Sequence, residues 1–292
     1  MSAAIATAEA RPRRGTSLAR RLLRHRLFAA GAATCGLVVA LSLLAGLLAQ
    51  ADPNQMSVLR RLKPPSQAAW FGTDAYGRDL FARVLHGGQV SLLVGLSVAA
   101  ATGIIGTLVG ALAGFLRALD GPLMRVMDAL MAFPSVLLAI AITAAMGPSL
   151  ANVIVALAIT YTPRTARVAR AAVLVAMEQD YVQAARAYGC DGLRLLWSHV
   201  LPNCLAPLIV QVTFVFGYAV LAEAVLSFLG MGTPPPTPSW GGIVAEGRTL
   251  LRVAPWICLF PGIAIALFVL GLNLLGDGLR DVLDPRMRLE RE

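Results

Sequence analysis

The chain has 292 residues, of which 57% are hydrophobic and only 14% charged, and it carries a formal net charge of +9. Its mean hydropathy is +0.70. That balance excludes a water-soluble domain of this length, and the basic surplus calls for no nucleic acid, because anionic lipid at one membrane face is a sufficient partner.

A helix crosses the hydrocarbon with about 20 mostly apolar residues, because it satisfies its own backbone hydrogen bonds where lipid offers none. Six segments qualify: 27–49, 89–116, 123–146, 150–173, 204–229 and 254–275. Ahead of the first, residues 1–26 form a basic tail with seven arginines from Arg11 to Arg26, and its first 17 residues are expected to be disordered. The "AQA" at 49–51 resembles a signal-peptidase site. The apolar run before it is longer than a signal peptide requires, so an uncleaved anchor is expected.

Residues 50–88 form a long loop ending in "TDAYGRDLFARVLHG", which places Leu80, Phe81, Val84 and Leu85 together on a helix with Arg78, Asp79 and Arg83 elsewhere around it. An interfacial helix is expected there. In the second span Gly106, Gly110 and Gly114 recur every four residues, a ridge that lets another backbone approach. "GPS" at 147–149 is a tight turn, so the third and fourth spans should pair antiparallel.

Between the fourth and fifth spans comes "EQDYVQAARAYGCDGLRLLWSHVLPN", 178–203, polar and interrupted by glycine. Glu178 and Asp180 favour a helix start, Ala184, Ala185 and Ala187 sustain it, and Gly189 stops it. Asp191 suits the cap of a second helix carrying Leu193, Leu196 and Val200 on one face, which Pro202 is expected to break before the fifth span. Such short helices are marginal in water, so they seek either a partner groove or the lipid surface. Periodicity alone does not choose between these.

The fifth span holds Glu223, the one acidic residue singled out within the spans, for which structural pairing is favoured over a direct transport role. After it, Pro234, Pro235, Pro236 and Pro238 stiffen a loop that is either a binding surface or a rigid cap. Gln211 and Asn273 are further polar positions in spans. The tail, 277–292, alternates acid and arginine, and Asp277, Arg280, Asp281 and Asp284 are read as local surface pairs.

Arginine and lysine placement sets orientation. With the N-terminus in the cytoplasm, the inner segments hold 14 of the 25 basic residues, the outer ones hold seven and four arginines fall inside spans. Both termini and the 178–203 stretch are therefore placed in the cytoplasm. The single lysine, Lys63, follows no Gly-x-x-x-x-Gly, so the chain has no phosphate-binding loop of that type. Cys35, Cys190, Cys204, Cys258 and His25, His86, His199 show no metal-ligand spacing, so no metal and no bound cofactor are expected. No nucleophile and base stand at helical spacing, which weighs against an intramembrane enzyme.

Within 178–203 the sequence reads Gln183-Ala184-Ala185-x-x-x-Gly189, nine residues, then His199-Val200-Leu201-Pro202. This resembles the Glu-Ala-Ala-x-x-x-Gly signature of the inner-membrane permease subunits of binding-protein-dependent ABC importers, with Gln183 for the glutamate and His199 for an isoleucine. The stretches "FGTDAYGRDLFARVLHGGQVSLLVG" (71–95), "LSFLGMGTPPPTPSWG" (226–241) and "NLLGDGLRDVLDPR" (273–286) resemble the "C" type permease of the dipeptide, oligopeptide and nickel subfamily.

The resemblance implies an all-α, polytopic membrane protein with six transmembrane helices and the type I ABC importer permease fold. Residues 89–276 would be a five-helix core containing a cytoplasmic coupling hairpin, 178–202. Gln183, Ala184, Ala185, Gly189, Leu201 and Pro202 would be its ATPase-coupling residues. Gln211, Glu223 and Asn273 are candidate pathway or partner contacts. Implied partners are a second permease subunit, two ATP-binding subunits that hold ATP and Mg, an extracytoplasmic substrate-binding protein and the lipid of a bacterial plasma membrane. Peptides are the expected cargo, with nickel or another small solute such as glutathione as the alternative. A stand-alone channel or ion-coupled carrier is the reading outside the family.

Overall fold

The computed structural model describes residues 18–49 and 51–283, and the secondary structure is helical throughout apart from two isolated bridges in the long loop. The chain runs through α1 (Leu18–Arg24), α2 (Arg26–Leu43) and α3 (Ala45–Leu48) into the long loop. It then forms α4 (Leu80–Phe115), α5 (Arg117–Met131), α6 (Ser135–Met146) and α7 (Leu150–Met177). After α8 (Asp180–Ala187) and α9 (Gly192–Leu195), a π-helical turn (Leu196–Val200) leads into α10 (Leu201–Phe228), followed by α11 (Trp240–Gly247) and α12 (Trp256–Leu283). The expected disorder of 1–17 and the surface pairing of Asp284 lie outside the described residues.

Among the described residues four helices are long and apolar enough to cross a membrane: Arg26–Leu43, Leu80–Phe115, Gly192–Phe228 and Trp256–Leu283. α5 and α6 bring the number to five if they are taken as one span, but they are bent by 89°. The expected continuous helix over 123–146 is thus replaced by a sharp break. Its cause is Pro134, which excludes the preceding Phe133 from helical backbone and supplies no N–H. α7, the expected fourth span, is long enough, yet Arg164, Arg167 and Arg170 lower its hydropathy below that of its neighbours. Three arginines therefore stand within the expected fourth span.

Helix packing follows small residues. A Cβ on Gly106 would lie 2.7 Å from Thr165 Cβ, one on Gly110 would lie 2.1 Å from Ala166 O, and one on Gly114 would lie 3.0 Å from Arg170 O. The glycine ridge therefore seats α7 against α4 backbone to backbone, as expected from its spacing. α2 and α12 meet the same way, Gly31 against Leu275 N and Gly278 against Phe28 N. Ser149 caps α7 by accepting from Asn152 N at 3.1 Å, while Asn152 Nδ2 donates to Met146 O and Gly147 O at 2.9 Å each, closing the turn between α6 and α7.

Three apolar layers stack along the bundle. Leu80, Val84, Trp240, Ile243, Ile257 and Phe268 form the layer beneath the long loop. Val98, Leu157, Val215 and Leu226 are in the middle. Val173, Val182, Leu195, Leu196 and Val200 form the layer at the hairpin end. α4 begins at Leu80 with Asp79 accepting from Ala82 N at 3.0 Å, so the expected interfacial helix is the first part of a 36-residue helix. Gly87 and Gly88 do not interrupt it, because Ser239, Ser42 and Trp240 fill the space where their side chains would be.

Candidate functional site

The hairpin end shows how 178–203 folds. α8 starts after Gln179 and ends in a two-bond glycine cap: Gly189 N donates to Arg186 O at 2.9 Å and Cys190 N to Ala185 O at 3.0 Å. Gly189 has φ +86°, a left-handed conformation that a side chain resists, although the space around it is open. The glycine is therefore required by backbone conformation and not by a close neighbour.

Asp191 occupies the cap position of α9, but its side chain makes no capping bond. Nor does Pro202 break the chain's helix as expected. Leu201 N donates to Leu196 O five residues back, a widened turn that accommodates the proline ring and its missing donor. The second half of the hairpin is consequently one rigid body with α10 from Gly192 to Phe228, about 55 Å of helix.

Val182, Leu195, Leu196, Val200 and Leu201 bury the inward side of the hairpin against α7 and α10. The other side is open. Gln183, Ala184, Gly189 and Pro202 are exposed, Ala185 is half-buried and Leu201 is buried. Tyr188, next to Gly189, is 93% exposed, while Trp197, 55% exposed, lines an apolar depression with Leu108 and Leu205. Gln183 Nε2 donates to Met177 O at 2.8 Å and ties α8 to the end of α7. An ionised glutamate has no donor to offer that carbonyl, so the departure from the family signature has a local use.

The opposite end is polar but closed. Arg78 donates from Nε to Asp74 Oδ2 and from Nη2 to Glu246 Oε2, both at 2.6 Å. Arg83 donates to the same two carboxylates, Nη1 to Asp74 Oδ2 and Nη2 to Glu246 Oε1, both at 3.0 Å. Two guanidinium groups and two carboxylates thus form a closed ring of zero formal charge. Asp74 Oδ1 also accepts from Tyr76 N and Arg78 N at 2.8 and 3.0 Å. All but Glu246 are buried; burial pushes its carboxyl above the ordinary range, while the neighbouring Arg78 charge opposes that shift. The ring joins the long loop and the start of α4 to α11.

Glu223 is fully buried on α10. Its Oε1 accepts from Ser227 Oγ at 2.6 Å and its Oε2 from Ser91 Oγ at 3.0 Å. Ser91 in turn accepts from Trp240 N at 3.2 Å, and Ser239 caps α11 by accepting from Gly242 N at 3.1 Å. The carboxylate therefore joins α4, α10 and α11 through hydroxyl groups. Gln211 lines a depression with Arg164 and Tyr218, whereas Asn273 stands apart on α12.

Sequence reasoning missed three features. The ring through Glu246 has no local signal, because Glu246 pairs with Arg78 and Arg83 more than 160 residues away. The serines around Glu223 carry no periodic signal. The arginines of α7 were visible within 150–173 but disappeared in an averaged hydropathy. Among the described residues no group of three or more His, Cys, Asp or Glu is assembled for metal binding.

Comparison with known proteins places this geometry in context. Residues 106–289 match the model of the binding-protein-dependent transport system inner membrane component, and 16–65 match the N-terminal TM domain of oligopeptide transport permease C. A Brucella abortus protein provisionally named a peptide transport system permease protein is 57% identical over 272 residues, 93% of this chain and 92% of the relative. A di/tripeptide transport system permease protein of Pseudomonas aeruginosa is 48% identical, covering 86% of each chain. A glutathione transport system permease protein of Pectobacterium atrosepticum is 40% identical, covering 92% of this chain and 90% of the relative.

Proposed function

The chain belongs to the family of binding-protein-dependent transport system inner membrane components, and from that premise we propose that it is one half of the translocation pathway of an ATP-driven peptide importer. It is a multi-pass membrane permease and not the enzyme of the system. Peptide cargo is supported by the names of the relatives; glutathione, itself a small peptide, is the nearest alternative, and nickel is another.

The observation that carries the coupling role is the two-sided hairpin. One side is fastened into the bundle through Val182, Leu195 and Val200, while Gln183, Ala184, Gly189 and Tyr188 face outward. The small side chains let a partner approach closely, and the exposed Tyr188 supplies apolar contact area. Because α9 continues into α10, a push on the hairpin moves the whole helix as a lever. Two cytoplasmic ATP-binding subunits would hold ATP and Mg and deliver that push. A second permease subunit would complete the pathway, and an extracytoplasmic binding protein would deliver the cargo. Both termini lie in the cytoplasm on this reading.

The test is reconstitution of the chain with its candidate second permease and ATP-binding subunits in proteoliposomes. Uptake of a labelled dipeptide that requires both ATP and the binding protein is the expected result, with glutathione and Ni²⁺ as competitors to rank cargo. A chain that purifies alone and passes solute without ATP would overturn the importer reading in favour of a carrier or channel.

A further inference from the structure

α7 carries Arg164, Arg167 and Arg170 at intervals of three residues, and two of them have carboxylate partners. Arg170 grips Asp120 through Nε and Nη2 at 2.5 and 2.6 Å. Arg167 Nη2 reaches Asp128 at 2.5 Å. Arg164 is exposed, and among the described residues no carboxylate pairs with it; its guanidinium lies 6.0 Å from the centre of the Tyr218 ring. Arg164, Arg167, Tyr218, Gln211, Phe214 and Met131 line a depression of about 360 Å³ between α5, α7 and α10, with Arg167 already paired to Asp128.

The depth of this site is fixed by packing. The neighbouring Thr165 abuts Gly106 of α4, nine residues and about 14 Å from that helix's end at Phe115. Tyr218 lies ten residues, about 15 Å, from the end of α10 at Phe228. Arg164 is therefore held well inside the span of two helices that are themselves long and apolar enough to cross the bilayer. A guanidinium facing hydrocarbon at that depth is costly, so such a group faces protein or a water-filled path.

On the reading of the chain as a peptide importer subunit, we infer that Arg164, flanked by Tyr218 and Gln211, is a cationic waypoint in the translocation pathway that takes the C-terminal carboxylate of a passing peptide. The guanidinium fork matches a carboxylate through two parallel hydrogen bonds. The phenol of Tyr218 and the amide of Gln211 supply donors and acceptors for the adjoining peptide unit. With the Arg167 charge offset by Asp128, one open-sided guanidinium holds its ligand briefly, as a site that must release its cargo requires. The competing occupant is a carboxylate of the second permease subunit, which would make Arg164 an assembly contact.

The full importer, reconstituted with Arg164→Gln, Arg164→Lys and Gln211→Leu chains, separates these. Uptake of a labelled dipeptide with a free C-terminus should fall at least fivefold in Arg164→Gln. Binding-protein-stimulated ATP hydrolysis and subunit stoichiometry should stay within twofold of the unsubstituted complex. Arg164→Lys should recover at least half of the uptake, and Gln211→Leu should lower it two- to threefold. The inference is overturned if Arg164→Gln transports within twofold of normal, if Arg164→Lys does no better, or if loss of uptake merely follows loss of the second permease from the complex. An unsubstituted complex with no ATP- and binding-protein-dependent uptake would sink the importer reading and this inference together, whereas any of the other outcomes removes only the inference.

Discussion

The two ends of the molecule treat polar groups in opposite ways. Beneath the long loop, Asp74, Arg78, Arg83 and Glu246 pair their charges with one another within the chain, and Glu223 is surrounded by serine hydroxyls. At the hairpin end, Gln183, Ala184, Gly189, Tyr188 and Trp197 remain open on a segment fastened from behind by Val182, Leu195 and Val200. The first end pairs its own charges, so they act as fasteners. The second leaves its polar and aromatic groups open, and on the proposed reading these meet the ATP-binding subunits. Charge alone does not identify a functional group here; what matters is whether the chain itself supplies the partner.

The contrast breaks most visibly at the ionic ring. Arg83→Met leaves the buried Asp74 and the half-buried Glu246 each short of a partner and should destabilise the chain by about 3–5 kcal/mol. A thermal unfolding series on the purified protein checks this; a change comparable with a surface substitution would mean the ring is not a fastener. Glu223→Ala comes next. It strands Ser227 and removes the acceptor of Ser91, for an expected loss of about 1–3 kcal/mol, with Glu223→Gln the milder change.

Gly189 sharpens the comparison from the other side. Gly189→Val meets no neighbour but strains a left-handed residue by about 1–2 kcal/mol, whereas Gly189→Asn tolerates the same backbone. Co-purification should show ATP-binding subunits lost from the valine chain and retained by the asparagine chain, with both chains inserted in membranes. Equal retention would place the contact elsewhere.

The smallest effect is on pH. Burial raises the Glu246 carboxyl, so the folded state binds that proton more tightly than the unfolded state does. Its contribution to stability is therefore fully present below the unfolded value and is lost as pH rises through the raised folded value. Relative to a Glu246→Gln chain, the unsubstituted protein should lose unfolding temperature as pH climbs from 4.5. A difference that stays flat with pH would show that the ring's arginines cancel the cost of burial.

Much of this was legible in the residues. Continuous apolar runs place α2, α4, α10 and α12, because a bilayer permits little else, and the four-residue recurrence of Gly106, Gly110 and Gly114 announces the face that seats α7. Gly189 marks the bend of the hairpin, since few other residues adopt its backbone. The break before Ser135 was readable from Pro134 but is hidden by averaging over 123–146. The ionic ring was not readable, because the pairing of Arg78 and Arg83 with Glu246 is decided only when α11 folds back onto α4. Arg164 had a local signal, but its meaning depends on which face of α7 stays uncovered, and that is a property of the packed bundle.

The most direct measurement places a thiol-reactive crosslink at the hairpin. Gln183→Cys, on the open side of α8, should capture an ATP-binding subunit in native membranes, while a cysteine replacing Tyr76 on the opposite loop should not. Capture at Tyr76→Cys alone, or at neither position in membranes where the transporter is active, would contradict the assignment of the hairpin as the coupling element.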